Sequence, residues 1–457
     1  VAGKPRLHKN QTTTQQNMAI PKQTKIVYPG GFDGGVVRVP GDKSISHRTA
    51  LLAGISSGTS EIRGFLQAED CLNTLKAMES FGARSWVDEE GVLVIQGTGG
   101  KMIEPVGPLD VGNSGTGMRL LAGLCAGSPI TVTLTGDASL SGRPMRRIKE
   151  PLELMGATVE LTPQGTAPMT IHGGNLHGIE YCLPTASAQV KSCCILAGLY
   201  ANGSTTVVEP IPTRDHTERM LRAVGAPIRV EGQRISVDGY GPKGPKFLAR
   251  PYVVPGDFSS AAYWLAAAAA IPGITVRAEG IGLNLRRTAL LDVLRRMGAR
   301  VEIERTSAPT DPEVYGNVTV YGAELKGTEV GGAEIPNLID ELPLVAVLGA
   351  LAKGRTVIRD AGELRVKESD RVAVMVENLT NLGAHATEQE DGMIIEGPTK
   401  VSPIKSVRSY GDHRIAMSMS ILAIFADQPV TIANVACVDT SYPEFWEQLA
   451  KLGVKVE

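Results

Sequence analysis

Aromatic residues are scarce in this chain of 457 residues, where Phe, Trp and Tyr together make up 4%. That leaves little material for the stacking platforms on which single-stranded nucleic acid is bound. An excess of one charge is lacking too, since 46 Lys and Arg stand against 48 Asp and Glu, for a net charge of −2. This balance argues against a nucleic-acid surface and leaves only local basic clusters as anion sites. No apolar run approaches the ~20 residues of a membrane span. The longest, near 261–271 and 342–352, read as buried helices. The six cysteines include no Cys-x-x-Cys pair, and most sit beside Leu or Val. Reduced core thiols in a cytosolic protein fit that usage better than disulfides or zinc. A secretory signal is absent as well; residues 1–17 are polar and are expected to be a disordered or artificial tail ahead of Met18.

What the chain has in abundance is internal repetition. An apolar residue, Gly and usually Ala recur at Gly82, Gly156, Gly225, Gly298, Gly383 and Gly453, spaced 74, 69, 73, 85 and 70 residues apart. Each glycine follows a helical pattern such as Leu291-Leu294-Met297, as a left-handed residue just past a helix end would. Apolar Ala/Leu segments followed by a turn and a Thr/Val/Ile strand accompany several copies. Units of about seventy residues with two helices and several strands predict an α/β fold, and the period exceeds that of ordinary solenoids. Six units over a chain of this length predict two domains of three units each. Pro-Gly-Asp occurs at Pro40-Gly41-Asp42 and again at Pro255-Gly256-Asp257. These two sites are read as crossovers, giving an inserted domain over 40–254 and a discontinuous one over 18–39 plus 255–457. A site is expected in the cleft between them.

Several helix starts carry chemistry. Lys43 to Arg48 follows the first Pro-Gly-Asp, with Lys43/His47 and Ser44/Arg48 at i,i+4 spacing, so this corner suits a polyanion. Gly112-Asn113-Ser114-Gly115-Thr116-Gly117 opens another helix but has neither P-loop nor dinucleotide spacing. Ser187-Ala188-Gln189 lies at a further start, where helix capping explains Ser187 as well as ligand binding does. Arg143 heads a basic cluster with Arg146, Arg147 and Lys149, of which most are read as solvated, and Arg214 begins another charged stretch. Ile339-Asp340-Glu341 lies between apolar runs, which is where a general base of raised pKa would be sought. Lys367 and Arg371 are read on one helical face with Glu368 adjoining, and Asp412 as the cap of an apolar helix containing Arg414.

Taken together and in order, Pro40–Ser44, the Gly-Asn-Ser-Gly-Thr run, Gly142–Met145, Ser187–Gln189, Arg365–Arg371 and Asp412–Arg414 identify a family. From about Gly34 to the C-terminus, the chain resembles the 5-enolpyruvylshikimate-3-phosphate synthases. The resemblance implies two similar domains, each three copies of a βαβαββ unit, in the inside-out α/β barrel of enolpyruvyl transferases. It implies transfer of the enolpyruvyl group of phosphoenolpyruvate to the 5-hydroxyl of shikimate 3-phosphate by addition–elimination, without metal or cofactor. Shikimate 3-phosphate would be held by Lys43, Ser44, Arg48, Ser187, Ala188, Gln189, Arg214, Asp340 and Lys367. Phosphoenolpyruvate would be held by Lys43, Asn113, Gly115, Thr116, Arg143, Gln189, Arg371 and Arg414. Asp340 is similar to the family's hydroxyl base and Glu368 to its proton relay, with Lys43 touching both substrates. A cytoplasmic monomer inhibited by glyphosate, with no nucleic-acid or membrane partner, completes the expectation.

The chain departs from the family in places. Ala188 replaces a serine of some members, Thr440 a site lysine, and Asn284-Leu285-Arg286-Arg287-Thr288 a common Asn-Pro-Thr-Arg-Thr. The alternatives are the related transferase acting on UDP-N-acetylglucosamine, which carries a Cys where Ala138 stands, and a non-catalytic anion-binding protein. An RNA 3′-terminal phosphate cyclase would need a nucleotide site that the sequence does not offer.

Overall fold

All six recurring glycines have positive φ, at 103°, 108°, 79°, 110°, 87° and 97° in chain order. A residue with a Cβ is strained there, so each glycine lets a helix stop and the chain turn back into a strand. The computed structural model describes residues 23–457. The stretch expected as a tail, 1–17, lies outside the described residues, as do 18–22.

One unit shows the pattern. Leu109–Asp110 runs parallel to Thr131–Thr135, which pairs antiparallel with Met169–His172, which pairs antiparallel with Thr158–Glu160. The helices Gly115–Gly127 and Arg146–Leu154 make the connections, giving βαβαββ. The same strand order recurs in four further four-stranded sheets. Two of these obtain their first strand from across a crossover. Gly35–Val37 lies parallel to Thr275–Gly282, and Tyr252–Val253 lies parallel to Thr59–Arg63. The sixth sheet is closed by the early strand Thr24–Val27, antiparallel to Val430–Ala433 and bridged to Val456. The chain is thus a mixed α/β protein of six similar units, as its periodicity implies.

Buried apolar side chains form two separate clusters. One draws on Ile45 through Val254. The other combines Val27, Phe32 and Val37 with Phe258 through Val454. The apolar helices Phe258–Ala269 and Leu342–Leu351 sit in the second cluster, almost wholly buried, as their composition requires. Among the described residues no helix is long and apolar enough to cross a membrane. All six cysteines are free thiols, and Cys71, Cys125, Cys193 and Cys194 are core residues. Cys182 is exposed and Cys437 half-buried, so the expectation of core thiols holds for four of the six.

Where the chain passes between clusters, the two Pro-Gly-Asp turns face each other. Asp42 N donates to Pro255 O and Asp257 N to Pro40 O, both at 2.8 Å, and Gly41 bridges Gly256. A Cβ on Gly41 would run into the Gly64 carbonyl, so the close approach requires glycine. Each aspartate then caps a helix. Asp42 accepts from Ile45 N at 2.9 Å, and Asp257 accepts from Ser259 N at 2.7 Å. The paired turns bring two helix N-termini together, with Lys43 N donating to Asp257 Oδ2 at 3.0 Å.

Candidate active site

Helix starts from both clusters open onto a cavity of about 590 Å³. The first is Lys43–Ile55, capped by Asp42. Ser114 Oγ caps Gly115–Gly127 by accepting from Gly117 N at 2.9 Å, and Ser187 Oγ caps Ala188–Gly198 by accepting from Val190 N at 3.3 Å. Asp370 and Asp412 cap Arg371–Asn381 and His413–Ala423. Unpaired N–H groups of such starts favour anions, and the side chains reinforce this. Ten Lys and Arg line the cavity against five Asp and Glu, on a chain whose net charge is −2.

Of the residues expected at the site, all but Asn113 line this cavity. Asn113 stands behind it, accepting at Oδ1 from Arg143 Nη2 at 2.6 Å. Lys43 Nζ donates to Asp70 at 3.0 Å. Gln189 Oε1 accepts from Arg119 at 2.6 Å, and Gln189 Nε2 donates to Thr116 Oγ1 at 2.8 Å. Arg48 is engaged within the protein, donating to Thr217 Oγ1, Ser192 Oγ and Ser44 O at 2.7, 2.9 and 2.8 Å. Burial lowers its guanidinium to about 10, against the pull of Glu218 and Asp42. His47 is wholly buried and bonds Thr74 Oγ1 at 2.8 Å, a structural role.

Asp340 is where the two halves meet. Its carboxylate lies 2.7 Å from Arg214, 3.6 Å from Arg371 and 3.9 Å from both Arg287 and Arg414. Burial alone would raise its pKa, but Arg214, Arg414, Arg287 and Arg371 hold it well below the usual carboxylate range. The raised carboxyl of the stretch is its neighbour Glu341, pushed up to about 7 by burial, with Arg287 opposing and Asp340 adding. Reading the raised-pKa group and the cleft-facing group of 339–341 as one residue is therefore corrected. Glu341 accepts a short hydrogen bond from Ser259 Oγ in the interior, whereas Asp340 faces the guanidiniums.

Glu368 bonds Arg371 at 2.6 Å and crosses to Arg143 at 3.3 Å. Burial raises its pKa, and Arg371, Arg143, His413 and Lys43 outweigh this and hold it well below the ordinary value. The shared helical face expected for Lys367 and Arg371 is not formed. The helix begins at Arg371, because Asp370 accepts from Val372 N and Ala373 N, both at 3.1 Å, after a short 3-10 turn over Gly362–Val366 and a bend. Lys367 instead reaches Glu363 at 3.7 Å, and burial lowers its ammonium. Buried nitrogens without a hydrogen-bond partner among the described residues include Nε of Arg119, Arg143 and Arg414, Nη1 of Arg371 and Nε2 of His413. Buried donors of this kind need an acceptor.

Cavity-lining residues that the sequence reading did not single out include Asp70, Arg119, Arg147, Arg287 and Glu363. Arg119 follows Gly115 by one helical turn, a signal that was available. Arg147, read as solvated, crosses to Glu363 at 2.8 Å. For Asp70 no local pattern points to the cleft. Thr440, at the position of a site lysine in some family members, does not line the cavity and donates to Cys437 O at 2.7 Å.

Fold and site together define a class, the enolpyruvyl transferase fold with a cation-lined cleft between its two cores. The enolpyruvyl transferase NikO from Streptomyces tendae shares that fold at a TM-score of 0.74 and 20% identity, over 96% of this chain and 99% of that one. The family description EPSP synthase (3-phosphoshikimate 1-carboxyvinyltransferase) matches residues 31–449, and the chain belongs to this family. The 3-phosphoshikimate 1-carboxyvinyltransferase of Akkermansia muciniphila is 49% identical over 428 residues, covering 91% of this chain and 97% of that protein. That of Methylococcus capsulatus is 48% identical over 433 residues, covering 94% and 97%. The EPSP synthase structure from Acinetobacter baumannii superposes at a TM-score of 0.81 with 42% identity, over 95% of this chain and all of that one.

Proposed function

We propose that this chain transfers the enolpyruvyl group of phosphoenolpyruvate to the 5-hydroxyl of shikimate 3-phosphate. The observation that carries the reading is one cavity in which Lys43, Arg143, Arg371 and Arg414 surround the carboxylates Asp340 and Glu368. Two phosphorylated carboxylates need that excess of cations, and the chemistry needs two groups that exchange protons. Ser44, Arg48, Ser187, Ala188, Gln189, Arg214 and Lys367 would hold shikimate 3-phosphate. Asn113, Gly115, Thr116, Arg143, Arg371 and Arg414 would hold phosphoenolpyruvate, with Lys43 and Gln189 touching both substrates.

In this reading Asp340 takes the hydroxyl proton as the oxygen attacks C2 of phosphoenolpyruvate, and Glu368, which takes up a proton from solvent once the substrate anions draw off its guanidiniums, passes it to the methylene carbon. The tetrahedral adduct then returns a methyl proton to Glu368 as the C2–O bond to phosphate breaks, and Asp340 gives up its proton to the departing phosphate. Both carboxylates are weak bases while arginines pair them. Substrate phosphates and carboxylates compete for the same guanidiniums, which lifts the pKa of each and readies it for transfer. We further propose a cytoplasmic monomer whose two bodies, 18–39 with 255–457 and 40–254, close over the substrates, and glyphosate as an inhibitor in the phosphoenolpyruvate pocket.

Phosphate release measured with both substrates together, and with each alone, tests the function. Release only with both supports the transferase. No release, with both substrates bound, favours an anion-binding protein, and equal release from phosphoenolpyruvate alone points to a hydrolase.

A further inference from the structure

The segment that carries Arg214 is anchored by a buried ion cluster that one residue of the other core completes. Lys191, fully buried, pairs with Glu209 at 2.9 Å and with Glu218 at 2.7 Å. Glu209 Oε2 also accepts from Thr213 N at 3.1 Å and Thr213 Oγ1 at 2.8 Å, fixing the residue before Arg214. One ammonium and two carboxylates leave the direct ion pairs with one excess negative charge. Within the same core Arg48 feels Glu218 electrostatically, and a further cation reaches Glu209 from the other core. Arg286 Nη1 donates to Glu209 Oε1 at 2.9 Å and to the Thr213 carbonyl at 3.1 Å. Beside it Asn284 Nδ2 donates to Asp215 Oδ1 at 2.6 Å. Arg286 itself is held by Asn284 Oδ1, which accepts from its backbone N–H at 2.9 Å. Glu209 and Glu218 are almost fully buried, so the excess charge is costly unless a partner meets it.

We propose that Arg286 is a positioning residue: by neutralising the Lys191–Glu209–Glu218 cluster across the cleft, it fixes Arg214 for shikimate 3-phosphate and favours the closed arrangement. It occupies the loop where this chain departs from the common Asn-Pro-Thr-Arg-Thr, at the position of that Thr. The contact joins the two cores and touches no reacting group. It therefore acts mainly on substrate affinity, and reaches the chemical step only through Arg214, whose guanidinium pairs with Asp340. The inference rests on the reading of Arg214 as a shikimate 3-phosphate contact.

The test uses the full chain as wild type, Arg286→Thr, Arg286→Lys, Glu209→Gln and the Arg286→Thr/Glu209→Gln double variant. Steady-state phosphate release, thermal unfolding and small-angle scattering without ligands are measured for each. Arg286→Thr is expected to raise KM for shikimate 3-phosphate by about tenfold, the loss of one charge-assisted contact, with kcat changing far less. Its unliganded radius of gyration is expected to exceed that of wild type. Arg286→Lys is expected to recover part of both. Because Glu209→Gln removes the excess charge, the double variant is expected to be no worse than Arg286→Thr. An active wild type with an unaltered KM and radius of gyration in a folded Arg286→Thr overturns the latch and leaves the function intact. Additive effects in the double variant overturn the charge argument. A wild type that binds both substrates without phosphate release sinks the functional reading itself.

Discussion

Asp340 and Glu341 adjoin in sequence and differ in protonation because different neighbours reach them. Asp340 meets arginines from four separate segments, at 214, 287, 371 and 414, whereas Glu341 is buried against Ser259. The sequence shows two acids between apolar runs and has no means of saying which one the arginines reach, since all four come from distant stretches. The pairing makes two outcomes testable. Asp340→Ala is expected to lower kcat by about 10²–10⁴-fold, the usual range for a general base. It frees Arg214, Arg371 and Arg414, so affinity for shikimate 3-phosphate, read by calorimetry, should hold or rise; undiminished turnover would remove Asp340 from the base role. Glu341 titrates at about 7 in the folded chain against an ordinary 4.5. The folded state thus keeps a proton that the unfolded chain gives up from pH 4.5 upward. Its stabilising contribution is complete below 4.5 and is lost as the pH rises through 7. Glu341→Gln keeps an acceptor for Ser259 and cannot ionise. Urea unfolding should therefore show the variant gaining on the parent between pH 5 and pH 8, by at most on the order of 3 kcal/mol. A parent–variant difference that does not change with pH would contradict the assignment.

Elements were legible wherever a local signal fixes them. The six glycines read as helix stops because only a left-handed residue ends a helix that way, and their φ values agree. Asp42 and Asp412 act as caps where a short polar side chain precedes an apolar run. The misplaced helix start at Lys367 has the same physics in reverse. Asp370 is a strong cap, and the i,i+4 spacing of Lys367 and Arg371 concealed it. First strands taken from across a crossover, such as Tyr252–Val253, carry no local sign of their partner, because pairing at that separation is settled by packing. The helix start at Gly115 makes a prediction of its own. A Cβ there would lie 2.9 Å from Arg119 Nη1 and 3.0 Å from Arg143 Nη1, so both guanidiniums must yield. Overpacking of this kind costs about 1–3 kcal/mol, which corresponds to about five- to 150-fold in affinity. Gly115→Ala should raise the inhibition constant of glyphosate by that factor while the enzyme continues to turn over. Potent, unaltered inhibition would contradict this account of the pocket.

Over the whole molecule, charge separation governs how the cleft meets its substrates. The chain carries a net charge of −2, yet its cavity holds ten cations to five carboxylates, so the rest of the chain, interior included, is acidic on balance. Composition alone could not show this, because Arg143, Arg214, Arg371 and Arg414 converge only once two cores of three units each face one another. The two turns that pair with each other carry a repeated Pro-Gly-Asp that the sequence displays. The ion pairs that span the cleft, Arg214 with Asp340, Arg143 with Glu368 and Arg147 with Glu363, were not legible there. A concave, cationic site between low-dielectric walls focuses its field and draws in anions faster than diffusion alone. Salt screens that field, with a Debye length of about 10 Å at 0.1 M and 3 Å at 1 M. Once bound, the substrates lie against buried guanidiniums that mobile ions reach poorly, so the chemical step is shielded. Raising sodium chloride from about 0.02 to 0.5 M should lower kcat/KM for both substrates by about tenfold or more, with kcat changing far less. Arg143→Gln should flatten that dependence for phosphoenolpyruvate more than for shikimate 3-phosphate if, as proposed, its guanidinium holds phosphoenolpyruvate. A kcat/KM independent of ionic strength would show that the cleft's charge positions its ligands without steering them.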